Sequence, residues 1–420
     1  MADLRENALE NLKSVLENKN DVFQANERSL DDDNAFVMML TMTALRKMVY
    51  VKSILKTLIT KKLSKQNIIG QCALILGAVE LMYMNTPDYA VINSYVNIVK
   101  AKTDKYVAGF VNAVLRKIAK QKEIFVSADK GDFFPQEFKA LLRKSYSSKE
   151  IEKIEKSSQN MPFLDISCVS VESAKKLGGK ELPLGSLRLE AKGKISEMPD
   201  YDKGTWWVQD FSSALAIKML GDIKDKKVLE LCSAPGGKTA QLLTRGAKVT
   251  CLDVNENRLK TLRENLQRLR LLPEKIICED GIKYLEKTNE KYEIIVLDAP
   301  CSATGILRRH PEIVHTKKHS DVLSQAKIQK EFLDRIDNVL LPNGVLLYCT
   351  CSLCKEEGEN QINEFVKNNT AYKVVHLEKM LPDSLKKMVT KEGYIRILPH
   401  YADSFGGADG FFIACLKKEG

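Results

Sequence analysis

The sequence lacks an apolar run long enough to cross a lipid bilayer, and its first thirteen residues are polar and charged. This start does not resemble the apolar core of a signal peptide. Without a secretion signal, the ten cysteines of the 420-residue chain do not indicate a disulfide framework. We therefore expect a cytoplasmic protein with no membrane partner, and the length predicts two or three domains.

The sequence also has little that indicates a metal site. Cys349, Cys351 and Cys354 lie close together, and a zinc site is one interpretation of them. However, the chain has five histidines and no second C-x-x-C pair at the spacing of a structural zinc site. We therefore expect no metal.

Positive charge is concentrated in one part of the chain. The whole sequence carries a formal net charge of +10, and residues 44–128 contain 14 Lys and Arg but only four acidic residues. A basic face of this kind attracts phosphates and favours a nucleic-acid partner. A solvated helical surface is the alternative, and charge alone leaves both interpretations open.

The pattern of apolar residues divides the chain into three parts. Helical spacing predicts an all-α domain over residues 1–130, with helices at 4–16, 35–59, 66–84, about 88–100 and 106–119. Residues 131–204 read as a small α+β connector with strands at 165–171 and 187–189. Residues 205–420 alternate strand and helix, which predicts a mostly parallel sheet covered on both faces. The strands are expected at 228–231, 248–252, 276–278, 293–297, 344–349 and 411–415.

A glycine-rich turn follows the first strand of the last part, in the run C-S-A-P-G-G-K-T at residues 232–239. Glycines at a strand-to-helix turn let the backbone approach a ligand and expose helix N-terminal amides. Asp253 ends the next predicted strand, where a carboxylate hydrogen-bonds ribose hydroxyls. Asp280 ends the third strand, where it can meet an adenine amino group. The pattern favours an adenosyl cofactor.

Two other nucleotide sites compete with that interpretation. A P-loop, G-x-x-x-x-G-K-[ST], matches at residues 237–239, but Cys232 stands where its first glycine is required. A dinucleotide site would need G-x-G-x-x-G, which the sequence lacks. Both are weaker matches than the adenosyl site, and neither is eliminated by spacing alone.

Two cysteine runs stand at the ends of the fourth and fifth strands, D-A-P-C-S at residues 298–302 and T-C-S at residues 350–352. The carboxyl ends of strands in a doubly wound sheet meet at one crevice, so Cys301 and Cys351 can face the same ligand. A thiolate is a strong nucleophile, and burial as ordinary apolar residues is the competing interpretation. Next along the chain, Arg308, Arg309 and His310 are predicted to clamp RNA phosphate or a base, the alternative being ordinary loop charge.

These motifs, in this order, resemble those of the RsmB/Nop family of RNA cytosine-5 methyltransferases, with Ser233 in place of an alanine of the usual C-A-A-P-G-G-K-T. The resemblance covers about residues 203–420, including the closing run D-G-F-F-I-A at 409–414. It implies a C-terminal α/β Rossmann-like class I methyltransferase domain that uses S-adenosyl-L-methionine. It also implies that Cys351 is the nucleophile and that Cys301 helps product release. Independently of the resemblance, Asp298 at the end of the fourth strand is suited to hold a cytosine ring at N3 or at its exocyclic amine. The implied cofactor contacts are Cys232, Ser233, Ala234, Pro235, Gly236, Gly237, Lys238, Asp253, Asp280 and Asp298.

The first third resembles the NusB fold, a helical RNA-binding module. The runs that carry this likeness are residues 69–83, Pro87 with residues 91–93, and F-V-N-A-V-L-R at 110–116. Together the two resemblances imply an enzyme that acts on 16S ribosomal RNA as a monomer. A tRNA cytosine-5 methyltransferase and a non-catalytic RNA-binding or antitermination factor are the alternatives.

Overall fold

The computed structural model describes residues 2–17, 32–59, 67–170, 172, 175–190 and 193–420. This part of the chain divides into two compact units, Met1–Ala140 with His310–Thr316, and Leu141–Arg309 with Lys317–Gly420. The predicted domain boundaries at residues 130 and 204 differ from this division and stay a prediction. No helix in the described part is both long and apolar enough to traverse a bilayer.

The first unit is helical, as the apolar spacing predicts. Gln66, at the start of the predicted 66–84 helix, lies outside the described residues. Among the described residues up to Leu142 the helices are α1 (Ala2–Leu16), α2 (Asp32–Leu58), α3 (Ile68–Tyr83), α4 (Asp88–Lys102), α5 (Lys105–Ser127) and α6 (Gln136–Leu142).

A buried ion pair joins helices of this unit. Arg5 of α1 donates to both carboxylate oxygens of Glu80 on α3, and Tyr95 of α4 donates to the same carboxylate at 3.2 Å. All three side chains are nearly inaccessible to water. A buried charge is tolerated when it is paired in this way, and loss of one partner typically destabilises a protein by about 3–5 kcal/mol. The ion pair therefore fixes the packing of α1 and α4 on α3.

The second unit begins with α7 (Ser148–Ser158) and a small antiparallel sheet in the order β2-β3-β1-β4. Its strands are β1 (Leu164–Cys168), β2 (Lys180–Glu181), β3 (Leu187–Leu189) and β4 (Trp206–Val208). The predicted strand 165–171 is confirmed as far as Cys168, and Val171 lies outside the described residues. Arg188 of β3 binds Asp165 of β1 through two bonds of 2.6 Å, so the sheet has a buried polar centre.

The larger sheet has the order β10-β12-β9-β8-β5-β6-β7, with β11 paired to β12. Strands β5 to β9 run parallel, and β12 is antiparallel to β9. The strands are β5 (Lys227–Leu231), β6 (Lys248–Asp253), β7 (Lys275–Cys278), β8 (Tyr292–Asp298), β9 (Leu340–Thr350), β10 (Tyr372–Val374), β11 (Ile395–Ile397) and β12 (Phe411–Lys418). The expected alternation of strand and helix is confirmed.

Helices follow most of these strands. They are α8 (Phe211–Lys218), α9 (Gly237–Thr244), α10 (Glu256–Leu269), α11 (Gly281–Lys287), α12 (Ile313–Thr316), α13 (His319–Ile336) and α14 (Glu359–Asn368), of which α12 belongs to the helical unit. Neighbouring residues of β5 enter different cores, Val228 on one face of the sheet and Leu229 on the other. A sheet covered on both faces in this way buries near-continuous apolar strands, which is why β5 and β8 read as apolar runs.

The order of the strands places one crevice in the large sheet. From β5 the chain proceeds to β6 and β7 on one side and then to β8 on the other. Such a reversal opens a crevice beyond the carboxyl ends of the two central strands, where open α/β sheets bind ligands. The glycine-rich turn after β5 and Asp298 at the end of β8 therefore meet at this crevice.

Candidate active site

The turn after β5 has a backbone that few residues other than glycine adopt. Gly236 has φ of +102° and stands immediately before α9, and Cys232 at the end of β5 also has positive φ. Ser233 donates its backbone N–H to the Leu252 carbonyl of β6, at 3.0 Å. The turn is thereby fixed against the neighbouring strand with the N-terminus of α9 directed at the crevice.

Carboxylates end the two strands on this side of the crevice. Asp253, 2% exposed, accepts the backbone N–H of Ala234 at 3.2 Å and of Asn255 at 3.0 Å. Asp280 is exposed and caps α11 through one oxygen, which accepts the Lys283 N–H at 3.0 Å. The second oxygen of Asp280 has no part in that cap. These two carboxylates fit an adenosyl group, because Asp253 lies beside the glycine-rich turn and Asp280 lies one strand further along the sheet.

The contacts of Lys238 argue against a phosphate-binding P-loop. Its ammonium donates to Asp298 Oδ2 at 2.7 Å and to Ser213 Oγ at 2.9 Å. Burial opposes the charged form, but Asp298 more than compensates and raises the pKa of Lys238. In a P-loop the lysine must reach the phosphates, whereas this one is 6% exposed and neutralised by a carboxylate. The predicted contact between Lys238 and the cofactor stays a prediction.

A buried carboxylate lies beneath the turn. Glu230 of β5 is 1% exposed and accepts a hydrogen bond of 2.6 Å from Thr239 Oγ1. Burial, with a smaller effect of the neighbouring Asp298 and Asp253, raises the pKa of Glu230 to about 8. At neutral pH this group is therefore mostly protonated in the folded protein and ionised in the unfolded chain.

This difference predicts a pH-dependent stability. Folding takes up a proton at Glu230, so its contribution is complete below about pH 4.5 and is lost as pH rises to about 8. We expect the wild type to lose a few kcal/mol of unfolding free energy relative to Glu230→Gln across that window. Urea unfolding of both proteins at pH 5, 7 and 9 measures this. A difference between them that stays constant with pH contradicts the prediction.

The two cysteine runs come together at the crevice. Cys301 Sγ and Cys351 Sγ are 3.4 Å apart, although fifty residues separate them in sequence, and both residues are partly exposed. The hydrogen bond to Cys351, together with burial, raises the pKa of the Cys301 thiol well above its ordinary value. Cys301 therefore keeps its proton at neutral pH and can donate it towards its partner.

Cys349 and Cys354, which flank the second cysteine run, are structural. Cys349 is fully buried, with its Sγ 3.4 Å from Asp298 Oδ1, and burial raises its pKa well above the ordinary value. Cys354 is also buried, and burial raises its pKa to about 12. In the described part of the chain, no group of three or more His, Cys, Asp or Glu is arranged to hold a metal ion.

Close backbone packing explains Gly305, which lies three residues after the first cysteine run. Gly305 donates its N–H to the Cys351 carbonyl at 2.8 Å and accepts the Gly410 N–H at 2.8 Å. A Cβ at Gly305 would lie 2.0 Å from the Gly410 carbonyl oxygen, which no side chain can tolerate. The closing D-G-F-F run is thus part of the support for both cysteine loops.

The three residues predicted to contact RNA differ in exposure, because Arg308 is buried whereas Arg309 and His310 are partly exposed. Arg308 is 1% exposed and donates to the Gly406 carbonyl at 3.0 Å, and burial lowers its pKa. Arg309 is held between Asp210 and Asp409 at 3.0 and 2.9 Å. His310 belongs to the helical unit, where its Nδ1 lies 2.9 Å from Glu312 Oε1. The sequence predicts RNA contacts at these positions, whereas in this structure the two arginines bind carbonyl and carboxylate groups of the protein itself. The contact with RNA stays a prediction.

Sequence reasoning missed one residue of this site. Glu357 is 0% exposed and binds both cysteine loops, although it lies in the acidic run K-E-E-G-E that is typical of a solvated turn. No local signal marks it, because charge patterns predict exposure and its partners are distant in sequence.

The fold and the site together define a class I, S-adenosylmethionine-dependent methyltransferase. Residues 217–417 match the family model "16S rRNA methyltransferase RsmB/F", and residues 2–120 match "NusB family". The chain is 32% identical to ribosomal RNA small subunit methyltransferase B of Pasteurella multocida, over 87% of this chain and 84% of that one. It therefore belongs to the RsmB/F family of methyltransferases.

Further similarities agree with this assignment. The probable ribosomal RNA small subunit methyltransferase B of Bacillus subtilis is 30% identical over 95% of this chain and 93% of that one. Among solved structures, PH0851 matches with a TM-score of 0.73 at 20% identity, covering 98% of this chain and 99% of that one. The predicted fold class, a NusB-like helical domain and a Rossmann-like methyltransferase domain, is confirmed, as is the cofactor.

Proposed function

We propose that this protein methylates carbon 5 of a cytosine in 16S ribosomal RNA, through a covalent bond between Cys351 and carbon 6 of the base. The observation that carries the proposal is the 3.4 Å separation of the Cys301 and Cys351 sulfurs at the ends of β8 and β9. The curated relatives are named for ribosomal RNA of the small subunit, which supports the RNA class.

The chemistry explains why two thiols are useful. Carbon 5 of cytosine is a weak nucleophile, and addition of the Cys351 thiolate to carbon 6 makes it enamine-like. S-adenosylmethionine supplies the methyl group as an electrophilic sulfonium. Loss of the carbon 5 proton to a base then lets the carbon 6–sulfur bond break, which returns the thiolate and the methylated base. The Cys301 thiol lies 3.4 Å from the Cys351 sulfur and holds its proton, so it can donate a hydrogen bond to the departing thiolate while another group takes the carbon 5 proton. We therefore assign to Cys301 a role in release.

Asp298 is suited to hold the base during this addition. Its side chain is about one-third exposed and anchored by Lys238, so a carboxylate oxygen is fixed at the crevice. The exocyclic amine of a cytosine can donate to such an oxygen, and N3 can accept a hydrogen bond from the protonated form of the acid. A base paired in a helix is inaccessible to this attack, so the target cytosine is single-stranded or turned out of its helix.

The test is transfer of labelled methyl groups to naked 16S ribosomal RNA, to assembled small subunits and to tRNA, followed by mapping of the modified position. We expect 5-methylcytosine in 16S ribosomal RNA. Modification of tRNA instead would show that the substrate assignment is wrong. RNA binding without any methyl transfer would favour a non-catalytic binding factor, in keeping with the NusB-like domain.

Cofactor affinity provides a separate prediction. We expect Asp253→Ala to weaken binding of S-adenosylmethionine by about 10- to 100-fold, because hydrogen bonds to a charged carboxylate are lost. Calorimetric titration measures this, with the exposed Glu256→Gln on the next helix as the control. If the Asp253 variant binds S-adenosylmethionine with unchanged affinity, Asp253 does not bind the ribose.

A further inference from the structure

A buried carboxylate lies behind the two reactive cysteines. One oxygen of Glu357 accepts the backbone N–H of Ser302 at 2.7 Å and the amide of Gln329 at 3.2 Å. The other accepts the hydroxyl of Ser302 at 2.5 Å and the hydroxyl of Ser352. The carboxylate and the three residues that donate to it are inaccessible or nearly so, and the cluster is therefore part of the protein interior.

The serine donors of this cluster are the residues that directly follow the two reactive cysteines. Ser302 directly follows Cys301, and Ser352 directly follows Cys351. The serine hydroxyls are 3.3 Å apart, so the carboxylate joins the two loops immediately behind their sulfurs. Thr304 extends the link, since its hydroxyl lies 3.1 Å from Ser352 Oγ and accepts the Leu353 N–H at 3.0 Å.

We propose that Glu357 is a positioning residue that sets the spacing of the two thiols, by binding the residue after each cysteine with one buried carboxylate. This inference rests on the proposed function for its consequence in catalysis. The effect of Glu357 on the spacing of the thiols does not depend on the reaction that the enzyme catalyses. Glu357 acts through Ser302 and Ser352 and does not touch the base.

Burial of a carboxylate here carries a cost that the hydrogen bonds must offset. Burial raises the pKa of Glu357, and the donors from Ser302, Ser352 and Gln329 oppose that rise. Removal of the side chain would leave several buried donors without an acceptor, and the loops would shift to satisfy them. A glutamine keeps the length and one acceptor oxygen, and its amide can donate to hydroxyls that also accept.

The spacing can be measured without catalysis. Phenylarsine oxide bridges two thiols only when they lie close together, and mass spectrometry identifies the bridged peptides. We expect bridging of Cys301 to Cys351 in the wild type and in Glu357→Gln, about tenfold slower bridging in Glu357→Ala, and none in Cys301→Ala. Glu80→Gln, a change at a buried carboxylate of the helical unit, controls for general loss of stability and should bridge at the wild-type rate.

Kinetics complete the test. For Glu357→Ala we expect kcat to fall about 100-fold with little change in the KM for S-adenosylmethionine, because a displacement near 1 Å of a reacting group has this effect. Glu357→Gln should restore most of the rate. If Glu357→Ala does not fold, the double variant Ser302→Ala/Ser352→Ala replaces it, with the same expected slowing of bridging.

The two proposals fail in different ways. Bridging and kcat at wild-type levels in a folded Glu357→Ala, or in the double serine variant, would overturn the positioning role. Absence of 5-methylcytosine formation by the wild type would overturn the proposed function, whereas the arsenical result would still report on Glu357.

Discussion

Replacing Cys351 by alanine is expected to lower the rate of methyl transfer by about 10⁴-fold or more, since removal of a covalent nucleophile leaves only binding and electrostatic effects. Cys301→Ala is expected instead to accumulate a covalent RNA–protein complex, because the thiol assigned to release is lost. The complex should migrate as a retarded band on denaturing gels, and Cys351→Ala should give none.

The control for both variants is Cys168→Ala, a partly exposed thiol of the small sheet that has no part in the site. It should transfer methyl groups at the wild-type rate. The reverse pattern, with a trapped complex in Cys351→Ala and none in Cys301→Ala, would exchange the two roles. Activity retained in Cys351→Ala would falsify the covalent mechanism.

Removal of the Asp298 carboxylate has the next largest expected effect. We predict that Asp298→Asn lowers kcat about 1000-fold, because an amide cannot exchange a proton with N3 of the reacting base and is a weaker acceptor for its exocyclic amine. Single-turnover methyl transfer measures this. The matched control is Glu293→Gln at the opposite end of the same strand, where the exposed carboxylate binds Lys226, and we expect it to change the rate less than twofold.

Variants of Lys238, the ion-pair partner of Asp298, distinguish an effect of Asp298 on the rate from an effect on stability. Asp298→Asn leaves the Lys238 ammonium buried without its counter-charge, which destabilises the crevice. The double variant Lys238→Met/Asp298→Asn removes both charges and should recover much of the lost thermal stability without recovering the rate. Recovery of the rate would show that Asp298 acts only by neutralising Lys238.

Local sequence patterns determined most of the secondary structure and the family of this protein. Apolar spacing predicted the first five helices and the strands β5 to β9, because burial of one helical face or a whole strand leaves a periodic pattern in neighbouring residues. The largest error is the end of α5, which extends to Ser127 instead of residue 119. The glycine-rich run at residues 232–239 marked the turn, and at Gly236 the backbone requires a glycine, as its positive φ shows. The order of the motifs was sufficient to indicate the family.

Only the tertiary structure decided which side chains share a site. The meeting of Cys301 with Cys351 depends on β8 and β9 lying side by side, and the ranking of Cys349 as buried and Cys351 as partly exposed depends on the layers around them. Glu357 looked like a solvated acid and Arg308 like a phosphate ligand, yet both are interior. The sequence shows which side chains are charged. It does not show whether they are buried or what they bind, because their neighbours in the fold lie tens or hundreds of residues away in the chain.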